Sequence, residues 1–199
     1  MNRSIDSNEV TLVKMEMKYW RDIHSYASLP EVSRYQQWGP NSEEDTLTYI
    51  KQIIEQAKID QPSRYVYAIK ETRSDRVIGA AELFHIDQIN KSAEIGYVIH
   101  PDFWGMGIGT LVASKLLEIG FTDLHLHRIH ATCDARNIGS ARVLEKIGMT
   151  WEGKRRHNML LKTGWRDSLL FGMLDYEWRG MNNDGAIITR ITNSIHQDT

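Results

Sequence analysis

Apolar residues recur at helical spacing in four segments of the chain, each bounded by residues that start or stop a helix. The clearest start is Ser42, which stands three residues before Asp45 and so forms a variant of the capping box. The predicted helices are residues 18–27, a helix after Ser42 with an apolar face of Leu47, Ile50, Ile54 and Ala57, residues 108–121 with Leu111, Val112, Leu116 and Ile119 on one face, and a helix after Asn137 with Val143, Leu144 and Ile147.

Seven shorter segments have the residue types and bounding turns that are typical of strands. They are residues 11–13, 65–70, 77–84, 93–99, 128–133, 149–160 and 168–174. Helices and strands follow one another without an internal repeat or a low-complexity linker. This order predicts a single α+β domain over residues 1–180, with a polar tail over residues 181–199 whose order the sequence does not decide.

The composition argues against several functional classes. Hydrophobic residues make up 41% of the 199, charged residues 25%, and no apolar run approaches the roughly 18 residues that cross a membrane. The net charge of -2 argues against a general nucleic-acid binder, which needs clustered lysine and arginine. The single cysteine, Cys133, excludes an intramolecular disulfide, and the polar N-terminus lacks the apolar stretch of a secretory signal. We therefore expect a cytoplasmic protein without a membrane or direct nucleic-acid partner.

A glycine-rich loop lies between the fourth predicted strand and the third predicted helix. Gly105, Gly107 and Gly109 let backbone amides approach one point, and the unpaired amides and dipole of the following helix point the same way. Such a loop can bind a pyrophosphate without arginines, although a tight strand-to-helix turn would also explain it. Thr110 stands where a dinucleotide fingerprint needs its third glycine, and no Gly-Lys-Ser/Thr of a P-loop follows.

Further motifs surround this loop. Before it stand Glu94-Ile95-Gly96-Tyr97-Val98-Ile99 and Pro101, and the loop has the form Trp104-x-x-Gly107-x-Gly109. After it come Arg128-Ile129-His130-Ala131, Asn137-x-x-Ser140, Leu144-Glu145-Lys146-x-Gly148-Met149 and Glu152-Gly153. Together they resemble the acetyl-CoA motif of the GNAT superfamily of N-acetyltransferases, in particular the branch that acetylates the N-terminal amine of ribosomal proteins. Glu31-Val32-x-Arg34-Tyr35, Trp38-x-Pro40, Asp167 and Glu177-Trp178 extend the resemblance over about residues 10–178.

The resemblance implies a fold and a cosubstrate. The fold would be a mixed, mostly antiparallel twisted sheet of about seven strands, with about four flanking helices. Its fourth and fifth strands would splay apart, and the pantetheine of acetyl-CoA would lie between them and pair with the backbone near Val98 and Ile99. The residues implied to hold the pyrophosphate are Met106, Gly107, Ile108, Gly109 and Thr110. Asn137 would contact the cofactor arm, and Ser140 would lie near the sulfur.

Direct acetyl transfer to an amine needs a base, a polarised thioester carbonyl and, in some enzymes, an acid for the departing thiolate. Given the resemblance, Glu94 is the candidate base, directly or through water; a solvent-facing carboxylate or an ion-pair partner is the alternative. Strict alternation puts Glu94 and Tyr97 on opposite faces of the strand unless a bulge intervenes, and members of the superfamily typically carry one here.

Ser140 is the candidate acid, and the alternative is a residue that only hydrogen-bonds the backbone or the cofactor. Many GNAT enzymes have a tyrosine four residues before the glycine that ends this helix, but Leu144 occupies that position here. This difference shifts the prediction to Ser140 or to no dedicated acid. The lone Cys133 has no evident base nearby in sequence, so a covalent intermediate is not expected.

The acceptor site is predicted from position in the resembling branch, with Trp38, Phe84 and Tyr97 as candidate walls; packing alone would also explain them. His125, His127 and His130 lack the cysteine or carboxylate set that would complete a metal site, so no metal is expected.

Three hypotheses on function follow. The first is acetylation of a protein N-terminus, ribosomal by analogy. The second is acetylation of a small amine, such as a polyamine, an amino acid or an antibiotic. The third, from another class, is a sensor domain that binds acyl-CoA without catalysis. A homodimer is compatible with the sequence, which does not decide the oligomeric state.

Overall fold

The strands of the computed structural model, which describes residues 9–181, form one seven-stranded sheet. The strands are β1 (Val10–Lys14), β2 (Tyr65–Glu71), β3 (Val77–Asp87), β4 (Ser92–Ile99), β5 (Arg128–Asp134), β6 (Thr150–Leu161) and β7 (Gly164–Leu174). Their order is β1-β2-β3-β4-β5-β7-β6, and every neighbouring pair is antiparallel except β4 and β5, which are parallel. The predicted mixed, mostly antiparallel sheet is therefore confirmed.

Five helices cover the two faces of this sheet. They are α1 (Trp20–Ala27), α2 (Pro30–Ser33), α3 (Glu43–Gln56), α4 (Ile108–Glu118) and α5 (Ile138–Lys146). The four predicted helices are present; the one-turn α2 and a helical stretch over residues 175–181 are additional. The tail predicted for residues 181–199 lies almost entirely outside the described residues.

Local sequence signals account for most of the helix boundaries. The Ser42 hydroxyl accepts a hydrogen bond from the Asp45 amide (3.1 Å), and the Asp45 carboxylate accepts one from the Ser42 amide (2.9 Å), so the capping box is real. The apolar face of α3 differs from the prediction, because Thr46, Ile50 and Ile53 are its buried residues and Ala57 is exposed.

Other boundaries also differ from the prediction. α4 ends at Glu118 and continues into a wider π-helical turn over Ile119–Asp123, so the predicted helix to residue 121 contains two kinds of turn. The last strand begins at Gly164 rather than at Ser168, because the hairpin with β6 extends to the turn.

Each face of the sheet has its own hydrophobic core. One cluster includes Ile108, Val112 and Leu116 of α4 together with Leu144 of α5, and lies on the side of β4 that carries Ala93, Ile95 and Ile99. The other includes Ile23 and Tyr26 of α1 and Ile50 of α3, with Val98 of β4 packed against it. Alternation along β4 thus assigns each side chain to one of two faces, which we call the α4 face and the α1 face.

Candidate active site

β4 and β5 separate in the middle of the sheet. They pair only at Ser92↔Arg128, Ala93↔Ile129 and Glu94↔His130, whereas β4 stays paired with β3 as far as Ile99, and β5 stays paired with β7 as far as Asp134. A cleft of about 1710 Å³ occupies this gap and extends to both faces. Because typical small-molecule sites measure about 300–1,000 Å³, the cleft has room for two substrates at once.

The glycine-rich loop borders one end of this cleft. Gly105 and Gly107 have φ values of 76° and 87°, and a Cβ added to either would meet nothing within 4 Å. Gly107 is the N-cap of α4 in the left-handed conformation, which glycine adopts without steric cost. The loop therefore presents open backbone at the start of a helix.

The first-turn amides of α4 are available to a ligand. The Leu111 amide donates to the Gly107 carbonyl (3.1 Å), but within residues 9–181 no hydrogen bond between backbone groups uses the amides of Ile108, Gly109 or Thr110. These three groups, with the helix dipole, fit a diphosphate, so the residues present suit acetyl-CoA. Among the candidates on β4, the Ile99 carbonyl accepts a hydrogen bond from the Trp104 indole (2.8 Å), which occupies one of its two lone pairs.

Glu94 lies at the last paired position before the strands separate. On the α1 face its Oε1 accepts a hydrogen bond from the Thr132 hydroxyl (2.8 Å). Its Oε2 is 3.4 Å from His85 Nδ1 and 3.6 Å from His130 Nε2. The Glu94 side chain is only 13% exposed, so the carboxylate is fixed at the point where the gap opens.

Two opposing effects act on the pKa of Glu94. Burial by itself raises the pKa, but interactions with His130, Thr132 and His85 outweigh it, and the pKa lies below its ordinary value of 4.5. Glu94 is therefore ionised at neutral pH and able to accept a proton.

Three residues were predicted to form the acceptor site. The structure places Trp38 and Phe84 on the same side of the cleft as Glu94, and Tyr97 on the other side. Phe84 pairs with Glu94 across β3 and β4, and Trp38, 36% exposed, lines the same cleft. The register between β3 and β4 is regular from Glu94 to Ile99, and its irregularity lies between Phe84 and Asp87 of β3. Tyr97 therefore lies on the α4 face, opposite Glu94.

Tyr97 instead faces Ser140 and Cys133. Its hydroxyl is the one buried side-chain polar atom of residues 9–181 without a hydrogen-bond partner. Burial raises the pKa of Tyr97 to about 12, although the nearby Ser140 hydroxyl acts in the opposite direction. Burial also raises the pKa of the Cys133 thiol to about 11, so this cysteine stays protonated at neutral pH.

Asn137 and Ser140 open α5 at the edge of the cleft. The Asn137 side-chain oxygen accepts a hydrogen bond from the Ser140 amide (3.1 Å), which caps the helix and leaves the Asn137 amide nitrogen for a ligand. Ser140 and Glu94 thus lie on opposite faces of the gap, one on each side of the path between β4 and β5.

Sequence reasoning missed several residues of this site. His130 was considered only as a metal ligand and Thr132 was not considered, yet both lie beside Glu94 because β5 runs parallel to β4. Arg166 was also missed, although it lines the cleft and is only 6% exposed. Alternation along the predicted strand 128–133 would have placed His130 and Thr132 on one face, and the resemblance already implied that this strand lies beside the strand of Glu94; the structure adds the register between the two strands.

His127 and His130, two of the histidines considered for a metal site, have different partners. His127 Nδ1 lies 3.0 Å from Asp175, while His130 lies beside Glu94. In the part of the chain that the structure describes, no group of three or more histidine, cysteine or acidic side chains has the arrangement of a metal site.

The chain belongs to the GNAT family of acetyltransferases, since the model of the acetyltransferase (GNAT) domain matches residues 9–150. It is 33% identical over 175 residues to the uncharacterized N-acetyltransferase p20 of Bacillus licheniformis, covering 87% of this chain and 97% of the relative. It is 36% identical over 102 residues to the putative ribosomal N-acetyltransferase YdaF of Bacillus subtilis, covering 51% of this chain and 56% of the relative. The protein is thus an N-acetyltransferase that uses acetyl-CoA.

Solved structures agree with the fold. A GNAT-family acetyltransferase from Bacillus anthracis superposes with a TM-score of 0.76 at 28% identity, covering 87% of this chain and 99% of that one. Spermidine N-acetyltransferase from Vibrio cholerae, solved with CoA and spermine, superposes with a TM-score of 0.75 at 22% identity, covering 86% of this chain and 98% of that one. Within residues 9–181, no helix has the length and apolar character needed to cross a membrane.

Proposed function

We propose that this enzyme acetylates the N-terminal amine of a polypeptide by direct transfer, with Glu94 as the base. The observation that carries the proposal is the position of the Glu94 carboxylate, ionised and fixed by Thr132 where β4 and β5 separate. A base at this point reaches an amine that enters from the α1 face. The weak basicity of Glu94 is suited to taking the proton as the amine nitrogen forms its new bond.

The other side of the gap is proposed to hold the departing group. Acetyl-CoA, when bound, supplies the thioester. The amides of Ile108, Gly109 and Thr110 would bind its diphosphate, Met106 and Gly107 would line the approach, and Asn137 would contact its arm. A backbone amide near Val98 would stabilise negative charge on the carbonyl oxygen. Ser140 on the α4 face would hold a proton for the sulfur, and the protonated Cys133 takes no covalent part.

The charges of the cleft favour a peptide over a polycation. Of the carboxylates that line it, Glu82 accepts a hydrogen bond from Arg64 Nε (2.6 Å), and Asp134 is bonded to the Arg136 guanidinium (2.7 Å). A carboxylate that is already paired attracts a polyamine only weakly. Since these two acids are paired within the protein, they offer a polyamine little free negative charge, and Glu94 is the remaining ionised carboxylate in this part of the cleft.

Acetylation of a polyamine is the second candidate function. It is favoured by the similarity to spermidine N-acetyltransferase and by two exposed carboxylates at the rim of the cleft, Glu31 and Glu44. Both belong to helices on the α1 face, so a long cation entering the cleft would pass them.

Release of free thiol from acetyl-CoA, measured across a panel of acceptors, tests these proposals. The panel contains peptides with ribosomal-protein N-termini, the same peptides blocked at the N-terminus, spermidine and free amino acids. We expect the unblocked peptides to have the highest kcat/KM. A higher kcat/KM for spermidine would establish the second candidate instead. If CoA binds in calorimetry but no acceptor of the panel releases thiol, both candidate acceptor classes are wrong, and binding without catalysis, as in a sensor domain, is favoured instead.

A further inference from the structure

Arg166 is a buried cation at the acceptor end of the cleft. It lies on β7, its side chain points to the α1 face, and it is 6% exposed. Its Nε donates to the Ser168 hydroxyl (2.9 Å) and its Nη1 donates to the Tyr35 carbonyl (3.1 Å). A guanidinium has five N–H donors, so three donors remain after these two bonds.

No carboxylate of the described residues forms an ion pair with Arg166. The nearest candidate on the same face is Asp134, but both of its oxygens bond Arg136, with distances of 2.8 Å to the Arg136 amide and 2.9 and 2.7 Å to its guanidinium. A buried charge without a partner is costly unless a ligand supplies one. The free donors of Arg166 therefore indicate that an oxygen of the bound acceptor completes this site.

Arg166 and Glu94 face the same part of the cleft. The Glu94 carboxylate is bonded to Thr132, and Arg166 is bonded to Ser168, which pairs with Asp134 two residues further along β5. Burial lowers the pKa of Arg166, and the charges of Asp134 and Glu94 act in the opposite direction, so the guanidinium lies within electrostatic range of the proposed base. An acceptor whose amine contacts Glu94 therefore meets a hydrogen-bond donor on the same face of the sheet.

We propose that Arg166 selects acceptors that carry an oxygen on the carbon next to the amine-bearing carbon, which is the α-aminoacyl group. Glu94 contacts the amine, and Arg166 donates to the carbonyl or carboxylate oxygen. The shared chemistry occurs in the first residue of a polypeptide and in a free amino acid. This inference rests on the proposed function and names the chemical group by which the acceptor is recognised; a plain alkylamine or a polyamine offers Arg166 no oxygen.

The competing interpretation is that Arg166 only holds the loop after α2 in place through Tyr35. Lys162 provides the matched control, because its Nζ donates to the Gly39 carbonyl (2.5 Å) and so holds the same loop from the same hairpin. Its side chain is exposed at the hairpin turn and borders the cleft, but its hydrogen bond is to Gly39 and not to Glu94 or to a partner of Arg166. A structural effect of losing a tether should appear in both variants, and a selectivity effect in Arg166 variants alone.

The test compares kcat/KM for alaninamide, alanine, an alanyl peptide, spermidine and sec-butylamine, which has the shape of alaninamide without its oxygen. Each acceptor is measured with the wild type, Arg166→Gln, Arg166→Lys and Lys162→Gln, since ratios between enzymes cancel differences in amine basicity. Calorimetry with CoA and the melting temperature establish that each variant is folded. If Arg166→Gln does not fold, the comparison uses Arg166→Lys, which keeps the charge but not the planar donors.

We expect Arg166→Gln to lower the preference for alaninamide over sec-butylamine about 10- to 100-fold, mainly through KM, and Arg166→Lys to lower it less. Lys162→Gln should leave the preference unchanged. Equal kcat/KM values for alanine and alaninamide would show that Arg166 binds a carboxylate oxygen as well as a carbonyl oxygen. A higher kcat/KM for the alanyl peptide would identify a polypeptide, and not a free amino acid, as the acceptor. If Arg166→Gln lowers kcat/KM for alaninamide and for sec-butylamine by the same factor, this inference is wrong and the proposed function stands. If the wild type prefers spermidine or sec-butylamine, or acetylates no acceptor, both are wrong.

Discussion

The two ends of the cleft differ in the kind of group that they present to a ligand. At the α4 end, the groups that face the cleft are backbone amides of Ile108, Gly109 and Thr110, exposed because Gly107 turns the chain. At the acceptor end, they are side chains from three strands, including Glu94, Thr132 and Arg166. The α4 end is formed by one continuous segment of the chain, whereas the acceptor end forms only when strand pairing brings residues of β4, β5 and β7 together.

This difference explains how the two ends tolerate change. A backbone site is lost when the chain direction changes, whatever side chains surround it. A side-chain site can be altered one group at a time, so its specificity can change while the fold and the cosubstrate stay the same. The family accordingly contains relatives whose names include ribosomal and spermidine acetyltransferases.

The largest effect is expected from removing the proposed base. Glu94→Gln should lower kcat/KM about 100-fold or more, because the amine must then lose its proton without help. The remaining rate should rise more steeply with pH than that of the wild type, since only acceptor that is already neutral can react. Glu152→Gln is the matched control, because Glu152 is another strand carboxylate with a side-chain partner, Arg128, but does not line the cleft. An unchanged rate and pH profile for Glu94→Gln would remove Glu94 from the mechanism.

At the α4 end, a side chain at Gly107 should weaken the binding of CoA to the first-turn amides. Gly107→Val places a branched Cβ on a residue with a φ of 87° and into the open space above the first-turn amides. We expect the Kd for CoA, measured by calorimetry, to rise about 30- to 100-fold. Gly164→Val introduces comparable strain at a φ of 111° in the β6–β7 turn and should lower stability without changing the Kd. Equal effects on CoA binding would mean that the loop does not hold the cofactor.

At the acceptor end, the ionisation of Asp134 should make the free energy of unfolding depend on pH. Burial by itself raises the pKa of Asp134, but bonds from Arg136 outweigh it and hold the pKa below its ordinary value of 3.8. A lowered folded-state pKa means that the ionised form stabilises the fold above pH 3.8 and that this contribution is lost as the pH falls further. Asp134→Asn should therefore lower the free energy of unfolding by about 1–3 kcal/mol at pH 7, and the difference should shrink below pH 3.8. Urea titrations of both proteins between pH 7 and 3 measure this; a difference that does not change with pH would contradict it.

The smallest effect is expected on the α4 face. The Tyr97 hydroxyl is buried, and although Ser140 is close enough to oppose the effect of burial on its pKa, no hydrogen bond of normal geometry joins the two groups, so Tyr97→Phe removes chiefly a desolvated group. The free energy of unfolding should stay equal or rise by up to about 1 kcal/mol. Thermal denaturation gives the comparison, with Tyr26→Phe as a second buried tyrosine. A loss of more than about 1 kcal/mol in Tyr97→Phe would show that the hydroxyl is bonded in solution.

Local signals predicted most of the fold. The capping box at Ser42, the cap at Asn137 and the left-handed Gly107 act within a few residues, so each could be located from the chain itself. The burial of individual faces was less predictable, as the exposed Ala57 shows, because it depends on which neighbour covers a helix.

The sequence by itself determined the order of elements and the glycine-rich loop, since these depend on contiguous residues and on hydrogen bonds that close locally, whereas the choice of Glu94 as candidate base came from the family resemblance. Only the tertiary structure decided which residues accompany Glu94. His130 comes from a strand that is parallel to β4 and far from it in sequence, and Arg166 comes from a hairpin 72 residues beyond Glu94. It also decided that Tyr97 faces away from the acceptor, because the bulge lies in β3 and alternation in β4 is unbroken. The physical reason is that side-chain sites form through strand pairing and register, and neither is specified by the neighbours of a residue along the chain.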